Sequence, residues 1–262
     1  MRLDKLLGNL GYGTRNEIKK LCRQGAVIVN GKEMKKSSDH VDPEKDEILF
    51  NGQKVNYREF IYIMLNKPAG YVSATFDKND PTVVDLIDEK YLAFEPFPVG
   101  RLDKDTEGLL ILTNDGKLSH RVLSPKKHVP KKYYAIIKGI VSSKDIEEFK
   151  EGIDIGEGYT TKPAELELLK KVEIEELSEN MGIDLDELKE AIEYNNEGLC
   201  EINVTISEGK FHQVKRMFKA VGKEVIFLKR VKMGGLCLDE SLELGEYREL
   251  TEEEIELLEK ID

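Results

Sequence analysis

The 262-residue chain carries a net charge of −11 and 40% hydrophobic residues, apolar content enough for one large core or for a small and a medium domain together. No apolar run reaches the ~20 residues that span a bilayer, and Met1-Arg2-Leu3-Asp4-Lys5 lacks the apolar stretch of a signal peptide. Three scattered cysteines (Cys22, Cys200, Cys237) and four scattered histidines exclude a disulfide framework and argue against a metal site. Small buried cysteines in a reducing cytoplasm are the expectation.

The charge is uneven. Residues 1–58 hold 12 Lys+Arg against 8 Asp+Glu, whereas residues 165–198 hold 3 against 12 and residues 239–262 hold 2 against 11. A mildly basic body with two acidic appendages still attracts phosphate.

The first segment reads as a separate unit. Leu3, Leu6, Leu7 and Leu10 recur at helical spacing and Gly11 and Gly13 end the run. Thr14-Arg15-Asn16-Glu17 is a capping box opening a second helix, with Ile18 and Leu21 inward and Gly25 as its stop. Ala26-Val27-Ile28-Val29 is a strand ended by the tight turn Asn30-Gly31, and Ile48-Leu49-Phe50 with Asn51-Gly52 repeats the device. Helices carrying Arg2, Lys5, Arg15, Lys19, Lys20 and Arg23, followed by Val27-Ile28-Val29-Asn30-Gly31-Lys32, resemble the S4-like RNA-binding domain of ribosomal protein families. A neutral protein–protein module is the alternative. A linker near residues 56–59 divides this domain, 1–58, from a larger one, 59–262.

In the larger domain, residues 61–65 read as a buried strand. Asn66-Lys67-Pro68-Ala69-Gly70 is a turn, 71–75 a second strand, and 81–87 a short helix entered through Pro81. Leu109-Leu110-Ile111-Leu112, closed by Asn114-Asp115-Gly116, is a strand buried on both faces. Helices are expected at 117–123, 142–151 and 211–221, and strands at 133–138, 165–169, 200–206 and 224–229. A capping box at Thr251-Glu252-Glu253-Glu254 opens a last helix, with Ile255, Leu258 and Ile261 on one side. The class is α+β. The acidic segment 173–197 reads as an inserted surface hairpin with Leu185, Leu188 and Ile192 on one helical face, structural or solubilising in role.

Three motifs carry chemistry. Gly100-Arg101-Leu102-Asp103-Lys104-Asp105-Thr106-Glu107-Gly108 packs charges between glycines directly before a core strand. A solvated loop is the commoner meaning of such a run, but a loop held by a rigid strand is also where catalytic groups sit. Asp103 lies between an arginine and a lysine, neighbours that favour the anion and so a nucleophile or base. Lys131-Lys132-Tyr133-Tyr134 sends its two tyrosines to opposite faces of a strand. In Gly209-Lys210-Phe211-His212-Gln213-Val214-Lys215-Arg216-Met217-Phe218, Phe211, Val214, Met217 and Phe218 form an apolar stripe, with His212, Lys215 and Lys219 on a basic face.

Together with Met64-Leu65-Asn66-Lys67-Pro68 and Gly70, these blocks resemble the bacterial ribosomal-RNA pseudouridine synthases, and among them the small-subunit enzymes. The resemblance covers nearly the whole chain apart from the long insertion at 173–197. It implies a catalytic domain built on a mixed, mostly antiparallel sheet with flanking helices. It also implies isomerisation of one uridine in ribosomal RNA without cofactor or metal, by a cytoplasmic monomer acting on structured RNA within an assembling ribosomal particle. Asp103 would be the nucleophile and Lys215 would hold it ionised. Tyr133 would stack on the flipped base. Arg101 would fill the space the base vacates or hold phosphate, and Lys131, His212, Gln213 and Arg216 would contact substrate. Asp105 and Glu107 are read as loop and surface charges. A large-subunit target, or a non-catalytic RNA-binding assembly factor, are the competing readings.

Overall fold

The computed structural model describes residues 1–43, 45–55, 57–177, 188–190 and 198–260. They fall into two compact units: Met1–Ile61 with Ile87–Phe97 and Thr113–Asp115, and Tyr62–Leu86 with Pro98–Leu112 and Gly116–Asp262.

The first unit is built from local signals. Helices α1 (Leu3–Asn9) and α2 (Arg15–Arg23) pack on a sheet of β1 (Val27–Val29), β2 (Lys32–Glu33), β3 (Ile48–Phe50) and β4 (Gln53–Lys54), ordered β2-β1-β3-β4. The Thr14 amide donates to Glu17 Oε2 at 2.7 Å and the Glu17 amide to Thr14 Oγ1 at 3.4 Å, which caps α2 and contributes about 1 kcal/mol. Asn30 and Gly31, and again Asn51 and Gly52, take positive φ at successive positions, the conformation a two-residue hairpin needs. Leu3, Leu6, Leu7, Ile18, Cys22 and Val27 are fully buried, and each large apolar side chain so placed is worth about 1.5–3 kcal/mol. Cys22, rather than Leu21, is the deepest inward residue of α2 beside Ile18. The short helix α3 (Glu89–Leu92) also belongs here, with the Arg58 guanidinium 5.6 Å from the Tyr91 ring.

The second unit is α+β, as expected. Its strands are β5 (Tyr62–Lys67), β6 (Phe97–Pro98), β7 (Glu107–Thr113), β8 (Lys131–Lys138), β9 (Glu165–Val172), β10 (Leu199–Ile206), β11 (Glu224–Met233), β12 (Leu236–Cys237) and β13 (Tyr247–Glu249). They form a sheet ordered β13-β5-β7-β11-β8-β10-β9, with β12 on β11 and β6 on β7. Antiparallel pairing dominates, but β11 runs parallel to β7 at Lys229–Glu107 and Arg230–Gly108. The helices are α4 (Gly116–Leu123), α5 (Ser143–Glu151), α6 (Gln213–Ala220) and α7 (Glu252–Glu259). Leu109 and Ile111 from β7, Leu118 and Val122 from α4, and Leu258 from α7 share one core cluster.

Several expectations need correction. Residues 71–75 form no strand beyond a single bridge from Val72 to Thr82, because the backbone turns there, the Ala74 amide donating to the Val72 carbonyl at 2.9 Å. The short helix expected at 81–87 is present as a single 3-10 turn, Val83–Leu86. Phe211 lies outside α6 and is 70% exposed, so the buried stripe of that helix is Val214, Met217 and Phe218. Cys237 is exposed, unlike Cys22 and Cys200. Ile261 and most of the acidic insertion lie outside the described residues. Leu177 and Leu188, at its two described parts, are buried in a cluster with Ile136, Leu199 and Phe227. Among the described residues, no helix is long and apolar enough to cross a membrane.

Candidate active site

Every residue of β7 is buried, so the loop preceding it hangs from a rigid element. Three devices fix that loop. The Ser73 hydroxyl accepts from the Leu102 amide at 3.0 Å and donates to the Leu102 carbonyl at 2.9 Å. The Lys67 ammonium, completely buried, is ringed by the carbonyls of Pro68, Asp103, Lys104 and Thr106 at 3.0, 3.1, 3.2 and 2.9 Å. Burial pulls Lys67 down to about 8, against the raising influence of Asp105, Glu107 and Asp103. Third, Gly108 has φ +98, and a Cβ there would sit 2.3 Å from the Arg230 carbonyl oxygen. Only glycine lets β7 approach β11 so closely.

The loop borders a cavity of about 560 Å³, within the range of small-molecule sites. One wall is the sheet. Lys131 and Tyr133 alternate on one face of β8, and Leu228 and Arg230 on β11, with Tyr133 directly opposite Arg230. Tyr134 points to the other face and packs on Phe227, ring centroids 6.1 Å apart, as the alternation required. The third wall is residues 206–215, leading into α6.

Asp103 is half-buried at this cavity, with its Oδ1 3.6 Å from His212 Nε2. No described residue donates a hydrogen bond to its carboxylate. Tyr133 and Lys131 line the same space. Lys131 donates to the Val129 carbonyl at 2.9 Å, and burial, then the nearby Arg230 charge, bring it down to about 8. Arg101 is exposed at the edge.

Lys215 departs from expectation. It reaches the cavity, but its ammonium pairs with Asp105 Oδ2 at 2.5 Å, not with Asp103. One turn along α6 from His212, it meets the carboxylate two residues past the predicted one. Burial opposes ionisation of Asp105, and the Lys215 hydrogen bond and charge outweigh it, holding that carboxyl below its usual range. Asp105 is therefore a clasp between the loop and α6, not a bystander. Asp105 is nonetheless an exposed loop charge, as expected, whereas Glu107 is not a surface charge. It is buried at the head of β7, and burial raises its carboxyl above the usual range. Gln213 is buried, its amide oxygen taken by the Lys210 amide and its nitrogen by Glu208, so it braces the loop before α6. Arg216 turns away from the cavity and binds the Ile155 carbonyl at 2.7 and 3.1 Å. The basic residues Arg2, Lys5, Arg15, Lys19, Lys20 and Arg23 are all exposed on the first unit, and Arg2 is held by Asp4 at 2.6 Å.

Lys67, Ser73 and Arg230 escaped the sequence reading. Arg230 is 2% exposed; its Nε donates to the Leu109 carbonyl at 2.8 Å, and its Nη2 is buried without a partner. Lys67 had a signal, a lone charge two residues past a five-residue apolar run and directly before a proline. Arg230 had none, since Lys229 and Lys232 beside it look alike in sequence.

Residues 61–220 match the family model described as RNA pseudouridylate synthase, and residues 1–48 match the S4 domain. The chain is 52% identical to an uncharacterized RNA pseudouridine synthase, YtzG, of Bacillus subtilis over 98% of both chains. It is 42% identical to the ribosomal small subunit pseudouridine synthase A of Haemophilus influenzae over 99% of this chain and 100% of that one. A crystal structure of a pseudouridylate synthase, 40% identical, superposes with a TM-score of 0.62 over 98% of this chain and 99% of the other.

Proposed function

The chain belongs to the RNA pseudouridylate synthase family, and from that premise we propose that it converts one uridine of small-subunit ribosomal RNA to pseudouridine. The reaction breaks the N1–C1′ bond, turns the uracil, and joins C5 to C1′. The C5 proton is lost and N1 gains one, so the product is an isomer. The observation that carries this reading is Asp103, a carboxylate with His212 at 3.6 Å, on a cavity that presents the Tyr133 ring, the partly buried Lys131 and the buried Arg230.

Asp103 acts on the ribose or the base as nucleophile or base. Tyr133 stacks on the uracil, and Lys131 and Arg230 present N–H donors to its oxygens. His212 borders Asp103, and Lys215 holds the loop through Asp105. Arg101 meets phosphate or takes the place of the extruded base; a base within structured RNA must leave its stack to be reached. Domain 1–58 supplies phosphate and shape contacts through Arg2, Lys5, Arg15, Lys19, Lys20 and Arg23, and 59–262 carries the chemistry. The enzyme works as a cytoplasmic monomer on an assembling ribosomal particle. The small-subunit target is supported by the full-length similarity to the Haemophilus influenzae protein. The test is single-turnover pseudouridine formation on separate small- and large-subunit transcripts, mapped by carbodiimide-stop primer extension. One stop on the small-subunit RNA is expected, and a stop only on large-subunit RNA would reassign the target.

A further inference from the structure

Among the described residues, the two most exposed large apolar side chains are Phe76 at 80% and Phe211 at 70%. A phenylalanine left in water forgoes the burial that drives folding, so two of them ask for a reason outside the fold. Both sit on segments anchored beside Asp103. Phe76 lies in a loop tied at one end by Ser73 to Leu102 and at the other by Asp80 to Lys104, at 2.9 and 2.6 Å. Those two tie points flank Asp103 in the chain. Phe211 lines the cavity and stacks on His212, with ring centroids 3.8 Å apart and planes 19° from parallel. His212 takes φ +50, a left-handed conformation costly for a residue with a side chain. That turn leaves Phe211 outside α6, at the rim.

The surroundings are charged. Arg101, Lys210 and Lys215 border the cavity; beside Phe76 the exposed Lys78 lies between Asp77 and Asp80, and Asp80 is paired with Lys104. Exposed aromatic faces among cations are the chemistry that holds single-stranded RNA, since every base offers a π-face and every nucleotide a phosphate. We propose that Phe211 and Phe76 are stacking platforms for the unpaired bases next to the target uridine. They hold the strand splayed while the uridine occupies the cavity. This rests on the functional reading above and extends it to recognition of the neighbouring nucleotides.

The test uses the full chain with Phe211→Ala and Phe76→Ala, each also as Trp and as Leu, and Leu169→Ala as a control for loss of an exposed apolar residue elsewhere. Each alanine variant should lower kcat/KM on the rRNA transcript about ten-fold, tryptophan should retain activity, and leucine should not. The penalty should disappear on transcripts whose base beside the target is replaced by an abasic site. Binding gives a second readout. 2-Aminopurine at that position should change its emission as the parent protein draws it out of the strand, and not with the alanine variants. Alanine variants within about two-fold of the parent, or leucine restoring as fully as tryptophan, would overturn the proposal. So would a penalty undiminished on abasic RNA, which would point to a protein or sugar contact. A parent protein that changes 2-aminopurine emission yet forms no pseudouridine would sink the functional reading while leaving the platforms standing.

Discussion

The two sheets of this protein are made in opposite ways. In the first unit, β1 with β2 and β3 with β4 are hairpins closed by Asn-Gly turns, so those partners are separated by a few residues. In the second, β7 meets β11 across more than a hundred residues, in a parallel pairing, and the cavity opens beside that junction. Local pairing builds the sheet of the S4 domain. Non-local pairing is costly in chain entropy but brings Asp103, Tyr133, Lys215 and Arg230, from four separate stretches, around one space. The comparison implies a division of labour: damage to the second unit should remove chemistry and spare binding, and damage to the first should do the reverse.

The largest break should come from Asp103→Asn. It deletes the charge proposed to react, with almost no change of shape, so pseudouridine formation should fall below detection while RNA affinity stays equal or tightens slightly. A folded, RNA-bound variant that still turns over near the parent rate would falsify the assignment.

Lys67→Met should come next. The loop carbonyls lose their shared donor, costing about 1–3 kcal/mol of stability, and the loop shift should lower kcat about 100-fold. The pH dependence has a defined sign. Lys67 binds its proton less tightly in the folded protein, at about 8, than at its ordinary 10.5 in the unfolded chain. The unfolded chain therefore holds more protons between those values, and stability from this group rises with pH across that window, by up to about 3 kcal/mol. Urea titrations at several pH values should show the parent gaining on Lys67→Met as the pH climbs from 8 to 10.5.

Lys215→Met and Asp105→Asn sharpen the comparison inside the site. The free protein pairs these two residues. Lys215→Met should cost about ten-fold in kcat, because it removes both the clasp and a cation lining the same cavity as Asp103, whereas Asp105→Asn should stay within a few-fold. Equal losses in single-turnover assays would mean that Lys215 acts through Asp105 alone.

On the first unit, replacing Arg15, Lys19, Lys20 and Arg23 together by Gln should leave the single-turnover rate at saturating RNA unchanged. Affinity at physiological salt should weaken about ten-fold or more, and the slope of log K against log salt should shrink by up to about four. An unchanged slope would remove these residues from the RNA contact. The smallest effect belongs to the insertion. Replacing residues 178–197 by a short Gly-containing loop should keep turnover within a few-fold, though Leu188 leaves the cluster around Phe227, and a modest fall in Tm should follow.

What sequence alone determined were the features with local causes. The capping boxes at Thr14, Ser142 and Thr251, the Asn-Gly turns, the buried run of β7 and the strand alternation that separates Tyr133 from Tyr134 are written within a few adjacent residues, and the structure forms them there. The position of Asp103 before a rigid strand was legible for the same reason. What only the tertiary structure decided were the partners. Lys215 faces two carboxylates two residues apart in one loop, and only the seating of α6 against that loop selects Asp105. Lys67 and Arg230 are ordinary charges in a strand until the crossing of β5, β7 and β11 buries them. Charge attraction reaches several ångströms in any direction, so spacing along the chain cannot choose among nearby opposite charges, whereas a cap or a turn is closed by the residues next to it.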